Sequence, residues 1–460
     1  MKKFLLAFCA CIIMSTAIAQ DLKEAKLYVP EFEAEYMEGM FGTIYGVSSN
    51  GEYAVGYDDF VGSCAFMWSR STGKFEVIDL ASMLMDVAND GTAVGNYFVE
   101  IPGSEDGSFG TRPGYYKDGV WKPLPIYRSE VDLTPCTGES DDMNGCATAI
   151  SADGQYIAGY ITDTYIYKLF PVLWKFNEDL QEYEIEEEFV NIQENIDVLD
   201  SPLGWVVKDM SDDGTIITGF SEWGSGARSA AVLINGEEKR LTCLRDPVDI
   251  YAETGVDMHV DAEGLATVSD NGQYFAGYYA ASANGVDLAG WTWTADKDAV
   301  VFASEGTVLV AADNNGVAYG SVSLMGHASM YKDGVMTPLK DIYAWETPTG
   351  AQFSTIFATS TQGEVLGGIA MVAFSMGSIQ IPAVLDTNPS AAVVGVKDGA
   401  NRVFMTSGWA FIEGDYNNAR VYNVQGVLVA EATEGNIDMN NLPAGVYVIC
   451  VDGVAYKVVK

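Results

Sequence analysis

The stretch VSDNGQYFAGY (268–278) decides the fold, because it recurs along the chain. The other copies are VSSNGEYAVGY (47–57), VANDGTAVGNY (87–97), ISADGQYIAGY (150–160), MSDDGTIITGF (210–220), AADNNGVAYGS (311–321) and the weaker TSTQGEVLGGI (359–369). Each copy is a short apolar strand, a polar turn ending in glycine, a second apolar strand and a further glycine. Asn-Gly and Asp-Gly turns supply the positive φ that a tight hairpin needs, so each copy reads as a β-hairpin. The turn glycines are Gly51, Gly91, Gly154, Gly214, Gly272, Gly316 and Gly363. Their spacing, 40 to 63 residues, is that of a propeller or array.

A second hairpin follows most copies, as in CAFMWSRSTGKFEVIDL (64–80), PGYYKDGVWKPLP (113–125) and ASMYKDGVMTPL (328–339). Two hairpins make four antiparallel strands, one propeller blade. The fold class is therefore all-β: a seven-bladed β-propeller of four-stranded blades over residues 20–388, followed by a small β-sandwich over 389–460. The last propeller unit keeps a third strand, IPAVLD (381–386), but has no evident fourth. An open ring would expose strand edges, and AKLYVPEF (25–32) is predicted to fill the gap.

Residues 1–19 have the form of a signal peptide: Lys2 and Lys3, an apolar run from Phe4 to Met14, and Ala17-Ile18-Ala19 before a cleavage at Gln20. The apolar run is too short to span a membrane, and no later one reaches the roughly 18 residues required. The expected location is secreted or at the outer cell surface. Acidic residues outnumber basic ones 64 to 25, for a net charge of −39. That charge repels phosphate backbones and anionic lipid faces, which argues against nucleic-acid and membrane-surface partners. Five cysteines follow the signal segment. A Cys136–Cys146 disulfide could close the loop between them, and two free thiols fit the spacing equally.

The hairpins resemble the extracellular repeat family named for a His-Ala-Phe signature, the HAF-type repeat. His327-Ala328-Ser329-Met330-Tyr331 keeps its histidine, and Cys64-Ala65-Phe66-Met67-Trp68 keeps the rest. The resemblance covers about residues 43–388 and implies a secreted propeller without implying an activity. Residues 393–460 resemble the type A sorting domain of the type IX secretion system. The likeness rests on Tyr422-Asn423-x-Gln425-Gly426, on Leu442-Pro443-Ala444-Gly445-Val446-Tyr447 and on Lys457-Val458-Val459-Lys460. It implies secretion machinery as a partner and passage across an outer membrane. The usual Pro-Asn-Pro entry is reduced to Asn388-Pro389, so a working signal and a retained remnant both stay open.

Chemical signatures are few. There is no Gly-x-Ser-x-Gly elbow, phosphate loop or His-Glu-x-x-His. His327 is predicted to pack in its strand and His259 to be solvated. Asp209-x-Ser211-x-Asp213-Gly214 begins like a calcium loop, but its twelfth position is Phe220. No catalytic residue, metal site or cofactor is therefore assigned. The blades vary in length mainly in the loops after strands two and four, and long loops on a rigid scaffold tend to carry binding. Their aromatics Phe98, Tyr165, Tyr167, Trp223 and Tyr251 are the candidate ligand contacts, with Phe109 and Trp345 beside them. The expected function is a binding or adhesion protein for an unknown protein or glycan. The alternative is an extracellular polysaccharide-active enzyme, hydrolase or lyase, using propeller carboxylates. An enzyme should gather acids of raised pKa in one cleft; a binder should show aromatics and amides.

Overall fold

The computed structural model describes residues 22–30, 42–58, 64–79, 82–100, 109–127, 135–136, 143–163, 168–186, 204–222, 228–235, 237–240, 265–280, 288–296, 301–322, 326–346, 350–374, 377–389, 402–406, 409–413, 418–423, 427–432, 437–439, 442–443, 446–451 and 454–459. Strands dominate them. No helix among the described residues is long and apolar enough to cross a membrane.

The repeated hairpins form as their turns dictate. Gly51 takes φ 69° and Gly272 takes φ 70°, a region that costs glycine nothing. Three residues earlier a buried serine braces the turn: Ser48 Oγ accepts the Tyr53 N–H at 2.9 Å. Ser151, Ser211, Ser269 and Ser360 hold Tyr156, Ile216, Tyr274 and Val365 in the same way. In the 311–321 copy the carboxylate of Asp313 accepts the Val317 N–H instead.

Each first strand also carries a register irregularity at the residue six before its turn glycine. These bulge residues are Tyr45, Met85, Thr148, Lys208, Ala266, Val310 and Phe357. A bulge bends the strand and re-aims a side chain. It also presses a carbonyl against the second strand, which explains the second glycine of most copies; at Gly277 the Trp291 ring fills the space instead. A Cβ on Gly56 would lie 1.9 Å from the Thr43 carbonyl oxygen, and one on Gly320 would lie 1.8 Å from that of Val308.

Four-stranded antiparallel sheets run in chain order through residues 42–79, 82–123, 265–305 and 307–338. Between the second and third of these lies an eight-stranded sheet over 143–240. Among the described residues its halves, 143–185 and 204–240, are paired as strands only at the parallel pair Leu169–Gly204. The final sheet joins 352–386 to Lys26–Tyr28, in the order first, second, third, then the N-terminal strand. Lys26, Leu27 and Tyr28 pair antiparallel with Asp386, Leu385 and Val384. The expected closure is thus present, with Lys23–Glu24 also running parallel to Tyr343–Ala344.

Packing makes the sheets a propeller. Apolar clusters lie between consecutive sheets: Val55 and Ala65 against Leu84 and Ala93, then Val94 and Tyr115 against Ile157 and Trp174. The series continues with Ala158 and Leu173 against Val207 and Ile217, and with Val232 against Phe275 and Trp293. Ala276 meets Leu309, Tyr319 meets Phe353 and Leu366, and Ile44 and Trp68 return against Val365 and Val384. Arg70 fastens this last junction. Its Nε and Nη2 donate to the two oxygens of buried Asp386 at 2.9 and 2.8 Å, and Nη2 also reaches the Asn388 carbonyl at 2.9 Å.

In the C-terminal segment, strands Arg402–Thr406, Trp409–Glu413 and Ile437–Asp438 form one sheet. Ala419–Asn423, Leu428–Ala432, Val446–Val451 and Val454–Val459 form another. Both contribute to one apolar cluster that includes Ala410, Val421, Ile437 and Ile449.

Of the two cysteine alternatives the free thiol is the one present at Cys146, which is buried; it stands opposite Tyr160 in its sheet, whereas Cys136 pairs with Ile126 in a separate two-stranded ribbon. Burial pushes the Cys146 thiol up to about 12. Phe98 is not in a loop. It lies in strand Ala93–Glu100 opposite Thr111, because the second and third strands extend beyond the repeat. His327 begins strand His327–Lys332 and is exposed rather than packed.

Candidate functional site

The bulged first strands surround a cavity of about 270 Å³ on the axis. Tyr45, Met85, Thr148, Lys208, Val310 and Phe357, all bulge residues, line it. Phe220 and Tyr278 join them from second strands. The wall is two-sided. Tyr278 and Phe357 pack on Val308 and Val310, and Tyr45 stands 5.9 Å from Phe357 and stacks on Tyr57 at 4.8 Å. Opposite are Met85, Thr148 and Lys208, whose Nζ lies 5.7 Å from the Phe220 ring centre.

Four aspartates also line the cavity: Asp86, Asp209, Asp212 and Asp270. Asp86 and Asp209 occupy the same repeat position, directly after the bulge, and each bridges two sheets. Asp86 accepts the N–H of Val87 at 2.8 Å and that of Ile150, in the next sheet, at 2.9 Å. Asp209 accepts Met210 N–H at 2.8 Å, Val268 N–H at 3.0 Å and the Thr267 hydroxyl. At Gly46, the matching position of the 42–79 sheet, a Cβ would fall 2.8 Å from Asp86 Oδ1. A small residue there leaves room for its neighbour's carboxylate.

Asp212 and Asp270 come from the turns and close one end of the cavity. Asp212 Oδ1 accepts the Ser49 hydroxyl and the Ala152 N–H, both at 3.0 Å. Asp270 Oδ2 accepts the Thr361 hydroxyl. Backbone bonds run beside them from Asp212 N–H to the Asp270 carbonyl and from Thr361 N–H to the Ser49 carbonyl. The turn end is therefore tied across the axis, and the other end is bordered by the bulge side chains.

Enclosure sets the charge state of these acids. Burial, and then the charge of Asp209, holds Asp86 well above the usual carboxylate range. Burial raises Asp209 to about 6 against the pull of its hydrogen bonds. Asp270 reaches about 7 through burial and the neighbouring Asp212, which burial raises as well. The acids do converge with raised pKa, yet each already accepts donors that hold the ring together. Among the described residues no cluster of three or more metal-ligating side chains occurs.

Of the aromatics singled out in the sequence, Phe98 is half-buried in its strand and Trp345 packs on the cluster between the 307–338 and 352–386 sheets. Tyr165, Tyr167, Trp223 and Tyr251 lie outside the described residues. So do Gly426, Gly445 and Lys460, while Leu442, Pro443 and Tyr447 are described, with the Tyr447 hydroxyl donating to the Pro443 carbonyl at 2.7 Å. Lys457 pairs with Val448 through the backbone. Sequence reasoning missed the cavity residues, although a fixed offset of six from the turn glycines marks Tyr45, Met85, Thr148, Lys208, Val310 and Phe357.

No family model matches the chain, and no curated protein matches it. Among solved structures it is similar to TolB from Acinetobacter baumannii, at 11% identity and a TM-score of 0.33 over 55% of this chain and 52% of that one. It is also similar to an oligogalacturonate lyase in complex with manganese, at 8% identity and a TM-score of 0.43 over 75% and 90%. A third is the polysaccharide lyase Uly1, at 10% identity and a TM-score of 0.41 over 73% and 87%. The chain thus spans about half the length of TolB, and likenesses of this strength carry no functional argument.

Proposed function

We propose that the chain is an exported binding protein, secreted or held at the cell surface. Its scaffold is a seven-bladed propeller, the count reached when the eight-stranded sheet is divided at Leu169–Gly204. Its ligand enters the axial cavity from the end away from the turns. The HAF-type repeat and the sorting-like tail, with its Tyr447 and Lys457, support export. One observation carries the binding reading: the cavity is tied shut at its turn end and bordered at the other by the bulge side chains, Tyr45 and Phe357 among them. Tyr165, Tyr167 and Trp223 follow directly in sequence on the second strands Tyr156–Asp163 and Ile216–Glu222, which run away from the turns. Screening the full chain against immobilised glycans and extracellular proteins tests this. Alanine at Tyr165, Tyr167 and Trp223 together should weaken the ligand found by at least tenfold with an unchanged melting curve. Unaltered binding by that variant, with loss on changing turn residues Asn50, Asp153 and Asn271, would reverse the assignment.

The gathered aspartates favour a second reading, a carboxylate enzyme acting on extracellular polysaccharide. Chain cleavage of a polysaccharide that is abolished by Asp209→Asn in a folded protein would establish it.

A further inference from the structure

We propose that the axial cavity receives a compact organic ammonium group, a primary or methylated amine carried by a larger ligand. The inference rests on the binding role above and names the ligand's chemistry. Three observations combine. First, four rings line the space, Tyr45, Phe220, Tyr278 and Phe357, and ring faces attract ammonium groups. The protein already shows the contact, with Lys208 Nζ 5.7 Å from the Phe220 ring centre.

Second, among the described residues the lining sets four carboxyls, Asp86, Asp209, Asp212 and Asp270, against one ammonium, that of Lys208. An anionic ligand would meet a negative potential, and a neutral polyol would gain ring contact without using it. Third, the carboxylates are fixed. Each accepts a backbone N–H or a hydroxyl from another sheet, so together they supply a field rather than oxygens free to close around an ion. A hard metal cation needs about six to eight such oxygens. An ammonium needs the field and the ring faces.

Charge linkage follows. Burial first, and then the charge of Asp212, raises Asp209 to about 6 and Asp270 to about 7, and below those values each retains its proton. An entering cation replaces those protons, so binding releases them and weakens on acidification.

The test titrates putrescine calorimetrically into the full-length protein at pH 7.5 and low salt. The controls are 1,4-butanediol, of the same length without charge, and succinate. Putrescine should bind at least tenfold more tightly than either and lose about tenfold or more by pH 5, with proton release read at pH 6, where Asp270 still holds its proton, from buffers of different ionisation heat. Lys208→Met, at an exposed residue, removes the resident ammonium and should tighten putrescine. Met85→Trp fills the cavity and should abolish binding while the melting curve stays cooperative. Butanediol matching putrescine, or succinate exceeding it, overturns the cation and leaves the cavity as a binding site. Putrescine binding retained by Met85→Trp places the amine on the acidic surface and overturns the proposal. So does an absence of heat with putrescine in both the wild type and Lys208→Met.

Discussion

At Asp270 a carboxyl sits where water cannot fully solvate its charge, and Asp212 adds repulsion. Its pKa in the fold is raised to about 7 from 3.8, so the folded state holds a proton that the unfolded chain releases. The stabilisation this gives is complete below the unfolded value and is lost as pH rises through about 7. Asp209, raised to about 6, has the same sign. Asp90 and Asp213, held low by Lys117 and by Thr215 and Ser211, act oppositely, in a window below the ordinary carboxylate pKa. The melting temperature of the full chain should therefore fall between pH 5 and 8. Asp270→Asn should flatten that slope and raise the pH 8 value by roughly 1–2 °C, the shift about 1 kcal/mol gives in a ring that spans residues 26–386. A calorimetric midpoint that climbs with pH in the wild type would contradict this. The turn glycines were legible because positive φ leaves a residue signature. The role of Asp86 was not, because its partner at Ile150 belongs to another sheet, and only the ring brings the two together.

At the scale of elements, the N-terminal strand is a small piece in a decisive place. Residues 26–28 complete the sheet that otherwise ends at 377–386, and Tyr28 packs on Trp68 of the first sheet, ring centres 5.1 Å apart. Deleting residues 20–35 should lower the melting temperature sharply and broaden the transition, since it exposes an edge beside the closing junction. An unchanged transition would show that the ring holds without its fourth strand. The Arg70–Asp386 pair sharpens the point. Arg70→Ala leaves a buried, unpaired carboxylate at 0% exposure and should cost about 3–5 kcal/mol. Replacing both partners, as Arg70→Met with Asp386→Leu, should recover most of that loss in chemical denaturation. This strand was legible in the sequence as an unused apolar segment facing a missing one. The lengths of strands two and three were not, because Ala93–Glu100 and Phe109–Lys117 run past the repeat on pairing that no local pattern announces.

For the whole molecule, the tail shares no repeat with the propeller and has its own apolar cluster around Val421 and Ile449. Removing residues 393–460 should leave the propeller's melting transition in place. If the sorting role operates, the truncated protein should accumulate in the periplasm, which fractionation and immunoblotting would show; equal amounts outside would leave the tail a structural appendage. Repetition made the architecture legible, since one hairpin understood is every hairpin understood. The cavity escaped because its character comes from residues that differ at one repeat position, Tyr45, Lys208 and Phe357 among them, and their effect is collective.

The clasp between the two ends of the ring also imposes an order in time. Arg70 and Asp386 stand 316 residues apart in the chain, and contacts so remote form slowly because a long loop must first be gathered. A chain delivered from its N-terminus presents Lys26–Tyr28 at the start and Gly377–Asp386 near the finish. Every sheet between can assemble while the first strand waits. Maturation of this protein should thus end in one late, slow event, and until it occurs the waiting edge is open to any other strand that arrives first.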